Sequence, residues 1–189
     1  MSRVGQHGAF TFLPANVVFS DSLIVFPLST HAAFCGLQSR PHEIWARFFG
    51  SSMKDDLRYT PSDVFETFPF PRLWTTHPAL EAVGAAYYEF RADLMGRNDE
   101  GLTKTYNRFH DPHERDPDVE RLRELHANMD QAVLSAYGWT DLDTECEFLA
   151  EHEANEDHGN APRRYRYRWP DAVRNEVLAR LVELNAART

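Results

Sequence analysis

The stretch DPDVERLRELHANMDQAVLSAYG, residues 116–138, carries the marks of a long helix with one packed face. The Asp116 carboxylate can accept from the unpaired amides of a first turn, and Pro117 has no N–H to lose at the first helical position. Val119, Leu122, Leu125, Met129 and Val133 recur at spacings of three and four, forming an apolar stripe that reaches Tyr137 before Gly138 stops it. Working outward, Pro78–Met95 repeats the pattern with Leu80, Val83, Tyr87, Phe90 and Leu94, ending at Gly96. Leu102–His110 reads as a shorter helix stopped by Asp111-Pro112, and Pro170 opens a last one with Val173, Val177, Leu181 and Leu184 on one face. Toward the N-terminus, Thr30 caps a helix through about Gln38. Arg40-Pro41 starts another, whose apolar face is Ile44, Trp45, Phe48 and Phe49 and whose stop is Gly50.

Other segments read differently. Ala9–Leu13, Val17–Phe19 and Leu23–Leu28 are short β-branched and aromatic runs separated by turn residues, which predicts strands of a hairpin or meander. Leu57–Pro71 holds three prolines and aromatics at positions 59, 65, 68 and 70, the composition of an extended segment packed on a core. Thr140–Pro162 is acidic and polar, a surface excursion. The expected fold class is α+β and mainly helical: a small β-containing lobe, residues 1–72, then a helical region, residues 73–189, with an acidic loop at about 140–162. An exposed apolar patch is expected near Phe10–Phe26, with poor solubility in isolation.

Composition narrows the function classes. With 189 residues, 42% hydrophobic and 13% aromatic, the chain can bury a core. Its formal net charge of −9 comes from the second region, because residues 1–72 hold equal numbers of acidic and basic side chains. Phosphate neutralisation supplies most non-specific nucleic-acid affinity, so any DNA contact must be local or shared with another polypeptide. Lys54 and Lys104 are the only lysines; the other basic side chains are arginines, which read guanine and phosphate bidentately. The longest apolar run, Leu23–Leu28, falls far short of the roughly 20 residues a membrane span needs. No secretory signal is read at Met1–Phe10, so the cytoplasm is the expected compartment. Cys35 and Cys146, far apart and outside any CxxC pair, suit reduced thiols.

Catalytic signatures are missing. No two glycines form GxG or a P-loop, no two prolines adjoin to make a base-holding Asn/Asp-Pro-Pro-aromatic tetrapeptide, and neither lysine completes an acidic-x-Lys nuclease signature. His110-Asp111-Pro112-His113, with Asp116 and Asp118, could gather a divalent metal or be a solvated inter-helix loop, and the loop is the reading adopted, with no metal site. His152-Glu153 begins like a zincin helix, but Glu156 stands where the second imidazole belongs. Two basic sets remain. Arg164, Arg166 and Arg168 alternate with Tyr165, Tyr167 and Trp169; an extended ribbon would offer its arginines to phosphate, or dock its aromatics on the core and turn its arginines to the acidic residues 141–157. Arg40, Arg47, Lys54 and Arg58, with His42 nearby, form either a solvated face and loop or a DNA contact.

Leu37-Gln38-Ser39, then His42, Trp45 and Phe48, then the run from Asp56-Leu57-Arg58-Tyr59-Thr60-Pro61 to Phe68-Pro69-Phe70-Pro71 resemble the end of the target-recognition domain of type IIG (MmeI-like) restriction-modification enzymes and related adenine-specific DNA methyltransferases. Gly101–Asn107, the helix around Leu122–Leu134, Ala136-Tyr137-Gly138-Trp139 and Tyr167-Arg168-Trp169-Pro170 resemble the C-terminal region that follows it. The resemblance implies a partial recognition domain at 1–72, a C-terminal helical domain at 73–189 and DNA recognition without catalysis, since the catalytic two thirds have no counterpart here. It implies no cofactor in this chain, S-adenosylmethionine in a catalytic partner, and double-stranded DNA and a methyltransferase domain or subunit as partners, with no membrane. The DNA-contact candidates are then Arg40, His42, Arg47, Lys54, Arg58, Arg164, Arg166 and Arg168, with no catalytic residue; Phe65, Phe68, Pro69 and Pro71 would be structural. The alternative is a helical protein–protein interaction module that never meets DNA.

Overall fold

A computed structural model describes residues 1–53, 56–151 and 164–188. The element order is β1 (Val4–Gly5), α1 (His31–Gln38), α2 (Arg40–Phe49), β2 (Ser51–Met53), β3 (Asp56–Arg58), α3 (Pro78–Asn98), α4 (Leu102–Phe109), α5 (Pro117–Tyr137), β4 (Glu147–Ala150), β5 (Tyr165–Arg168) and α6 (Asp171–Ala186). The fold is α+β and mainly helical. Among the described residues there are two small antiparallel sheets, one ordered β1-β3-β2 and the other pairing β4 with β5.

The helical punctuation works as the sequence predicts. Thr30 and Asp116 accept from the Ala33 and Asp118 amides at the starts of α1 and α5, and Gly138 ends α5 in the left-handed region at φ 82°. Helix α3 runs two residues past Gly96, because Asp99 takes the left-handed turn there at φ 50°. Short α1 is the axis of the core: every residue from Ala32 to Gln38 is buried, and it packs against α3 and α5. Gly84 allows that approach, since a Cβ there would stand 2.2 Å from the His31 carbonyl oxygen. One continuous core joins both halves of the chain, from Trp45, Tyr59, Val64 and Phe68 through Tyr87 and Leu122 to Trp169, Val177 and Leu181.

Three expectations are corrected. Ala9–Leu13, Val17–Phe19 and Leu23–Leu28 form no strands apart from an isolated bridge between Ser2 and Leu23. The N-terminal sheet uses β1, β2 and β3 instead, because a β-favouring run becomes a strand only with a neighbour to pair with. Leu57–Pro71 is not extended throughout: after β3, bonds from the Val64 amide to the Thr60 carbonyl and from the Phe68 amide to the Val64 carbonyl coil residues 61–67. This places Phe68 edge-on to Trp45 and stacks Phe70 on Trp74 at 3.8 Å. The acidic excursion is not wholly loop, for β4 lies within it and pairs Glu147 with Arg168 and Leu149 with Arg166. The rest of that excursion, from residue 152 onward, lies outside the described residues.

Candidate nucleic-acid interface

Helix α2 brings Arg40, His42, Glu43 and Arg47 to the seam between the two halves, and two of the predicted contacts point inward. Arg40 is 4% exposed. Its backbone amide donates to Asp130 Oδ1 at 2.7 Å, its guanidinium pairs with Asp130 Oδ2, and Nη1 lies 2.9 Å from His126 Nδ1. Burial alone would raise the Asp130 carboxyl, but the adjoining His126 and Arg40 hold it below the ordinary range. His42 is 2% exposed; its Nδ1–H donates to the Leu37 carbonyl at 2.7 Å and Nε2 accepts from the Tyr59 hydroxyl at 3.0 Å. Burial pushes its pKa down to about 4. Both side chains belong to the interior, where no base edge or phosphate reaches them.

The two basic sets, far apart in sequence, meet across Glu43. Arg47 Nε donates to Glu43 Oε1 at 2.8 Å and Arg166 Nη1 to the same oxygen at 3.3 Å, while both guanidiniums also donate to the Gln6 carbonyl. Burial would raise the Glu43 carboxyl, but these two cations hold it well below the usual carboxylate range. Arg166 is also paired with Glu151 and is buried. Of the two readings of the alternating ribbon, the geometry matches docking: Trp169 is buried, Tyr167 lies against Phe148 at 4.8 Å, and Arg166 faces acids rather than solvent. Beside this junction a cleft of about 350 Å³ opens, lined by Ile44, Arg47, Phe48, Arg168, Arg174 and Leu178 among others.

The remaining candidates stand at the surface. Arg47 is 30% exposed, and Arg168, 24% exposed, is tied to Asp171 at 2.8 Å. Arg58 on β3 and Arg164 just before β5 are exposed and have no side-chain partner among the described residues. Lys54, between β2 and β3, lies outside the described residues. Arg3 and Arg72 share the exposed, partnerless state of Arg58. Sequence reading passed over them because each is an isolated arginine, with no helix face or alternation to mark it.

The His110–His113 loop gathers no metal set; among the described residues no group of three or more His, Cys, Asp or Glu side chains could hold one. His110 is occupied otherwise: its Nδ1 accepts from the Tyr167 amide at 3.2 Å, and its ring stacks on His7 at 5.3 Å. Burial, with Arg166 beside it, holds its pKa well below that of free imidazole.

Residues 2–72 match the family model of the MmeI target recognition domain. No curated protein sequence matches the chain. Among solved structures it is similar to the type IIL restriction-modification enzyme MmeI in complex with DNA, with a TM-score of 0.54 and 22% identity over 84% of this chain. At that identity the shared property is the fold. The chain spans 16% of the length of that relative.

Proposed function

We propose that this chain is the DNA-recognition and C-terminal portion of an MmeI-like restriction-modification methyltransferase, gripping duplex DNA for a catalytic part that it does not carry. The observation that carries this reading is the match of residues 2–72 to the MmeI target recognition domain. Methylating an adenine requires turning it out of the stack at a cost of about a few kcal/mol, so the duplex has to be held while the catalytic part works. A recognition lobe supplies that hold through phosphate contacts, and a good bidentate contact to a base edge adds about 1–3 kcal/mol of discrimination. In an acidic chain the DNA-facing donors have to be free of carboxylates, which favours Arg58, Arg3, Arg72 and Arg164 over Arg47 and Arg168, which are held by Glu43 and Asp171.

S-adenosylmethionine belongs to the catalytic partner in this reading. The chain's own glycines do not suit a cradle for it: none forms GxG, and Gly36 and Gly84 sit inside packed helices. Among the described residues no helix is long and apolar enough to cross a membrane, and the proposed place of work is the cytoplasm.

The test is a duplex gel-shift titration at low and high salt, with methyl transfer assayed in parallel. The isolated chain should bind duplex with an affinity that falls steeply with salt and transfer no methyl group, while adding its catalytic partner should restore site-specific modification. Methyl transfer by the isolated chain would overturn the noncatalytic reading. Duplex binding absent both from the chain and from its complex with a partner would leave the helical interaction module in its place.

A further inference from the structure

Helix α2 ends on aromatic rings that the fold holds out in solvent. Phe48 is 61% exposed and Phe49 40%, and among the described residues no other Phe, Tyr or Trp side chain stands exposed. The pair is held on a rigid stem. Phe48 lies edge-on to Phe49 at 4.9 Å, and Phe49 lies against buried Trp45 at 4.2 Å. Trp45 is fixed in turn, since its Nε1–H donates to the Thr67 hydroxyl at 3.0 Å. Gly50 closes the helix directly onto the N-terminal sheet: a Cβ there would stand 2.3 Å from the Ala46 carbonyl oxygen and 3.2 Å from that of Arg58.

Guanidiniums gather around these rings, in a chain whose net charge is −9. Arg47 precedes Phe48. Arg58, exposed and with no carboxylate partner among the described residues, pairs through its backbone with Ser51, three residues beyond Phe48. Phe48 also lines the cleft of about 350 Å³, together with Ile44, Leu178, Arg168 and Arg174, and the arginines of that lining outnumber its carboxylates. Arg168 and Arg174 share one oxygen of Asp171, at 2.8 and 3.5 Å, so a single carboxylate serves two cations. An apolar ring set among cations fits a partner that offers a flat apolar face between anionic groups. A nucleotide strand has that chemistry, with a base to stack on and a phosphate on either side.

Resting on the recognition role proposed above, we propose that Phe48 is an aromatic wedge, which enters the base stack of the bound duplex and stacks on a base that it unseats, while Arg58 holds the neighbouring backbone. Proteins that insert Phe or Leu between base steps offset the unstacking with the additional contacts that kinked DNA allows.

The test needs no knowledge of the recognition sequence, because a wedge favours DNA that is already poorly stacked. The full chain is titrated with a duplex of one sequence, either fully paired or carrying one central mismatch with 2-aminopurine beside it. The native chain should bind the mismatched duplex at least about fivefold more tightly and brighten the 2-aminopurine as its neighbours are displaced. Phe48→Ala should bind the mismatched duplex about tenfold more weakly, lose the preference and leave the probe dim, with the salt slope unchanged because no charge is removed. Its Tm should stay within about 2 °C of the native value, as for other exposed positions, so misfolding does not imitate the loss. Phe48→Trp should restore both preference and brightening. Equal binding of both duplexes by the native chain, or a preference that survives in Phe48→Ala, would overturn the wedge and leave the recognition role standing. Weaker binding by Phe48→Ala with a probe that stays dim even in the native complex would also overturn it, placing the ring against the outside of the duplex. Failure of the native chain to bind either duplex would instead remove the recognition role, and the wedge with it.

Discussion

The arginines of the two regions have different occupations. In residues 73–188, Arg97 faces Asp93 and Asp118, Arg108 faces Glu100, Glu114 and Asp116, Arg121 faces Glu124, and Arg180 faces Asp141 and Glu176. In residues 1–72, Arg3, Arg58 and Arg72 are exposed and face no carboxylate among the described residues. A guanidinium already held by carboxylates must break those bonds before it can hold phosphate, whereas a free one loses only its water. The acidic helical region thus uses arginine as scaffold, and the region that matches a recognition domain keeps it available. Arg40 and Arg47, which face Asp130 and Glu43, are the exceptions in residues 1–72, as exposed Arg164 is in residues 73–188, and Arg40 marks where the two regions are bolted together.

The hardest test of this contrast is that bolt. Arg40→Met leaves Asp130, 1% exposed, without its guanidinium partner, and should cost about 3–5 kcal/mol in urea unfolding, as removal of one member of a buried pair does. Adding Asp130→Leu should recover most of the loss. If Arg40→Met instead kept full stability and lost duplex affinity, Arg40 would be a DNA contact after all and the division between the regions would fail.

Acid should act on the same seam. Neutral, buried His42 has its pKa lowered to about 4, so between pH 6.5 and 4 the unfolded chain binds a proton that the folded chain refuses. Its contribution is therefore complete above pH 6.5 and lost as pH falls, by roughly 3 kcal/mol at about 1.4 kcal/mol for each pKa unit. His110 and His7, also lowered by burial, act with the same sign. Unfolding free energy measured from pH 7.5 to 4.5 should decline steadily, and less steeply in His42→Gln. An unchanged slope in that variant would show that the loss arises elsewhere.

The helices were legible because their signals are local: Thr30, Asp116, Pro117 and Gly138 act within one turn of themselves. The missed strands and misplaced contacts depend on distant partners. Val17–Phe19 has the composition of a strand, but strand formation requires a second chain segment alongside. Arg40 and His42 lie on a helix with a basic and polar face, and only the arrival of Asp130, Tyr59 and Tyr167 turns that face inward. The alternating arginines show the same limit, since periodicity places Arg164, Arg166 and Arg168 on one face without saying that Glu43 and Glu151 will cover the middle one. The free state of Arg3, Arg58 and Arg72 is a fact about their surroundings, which no motif of their own announces.

The smallest expected effects sharpen the comparison most, because they separate charge from scaffold one side chain at a time. Arg58→Ala removes a surface cation from β3 that has no ion pair to break among the described residues. It should leave stability nearly unchanged, weaken duplex binding about tenfold at low salt and lower the slope of log affinity against log salt by about one. Arg121→Ala removes the same formal charge from α5, where the guanidinium already holds Glu124 at 2.8 Å across one helical turn. It should change stability by at most about 0.5 kcal/mol and leave the salt slope alone. Net charge falls by one unit in each variant, so general repulsion between an acidic protein and DNA rises equally in both, and only a local contact can make them differ. Equal loss of binding in the two would mean that DNA senses the overall charge of the chain rather than the free arginines of residues 1–72.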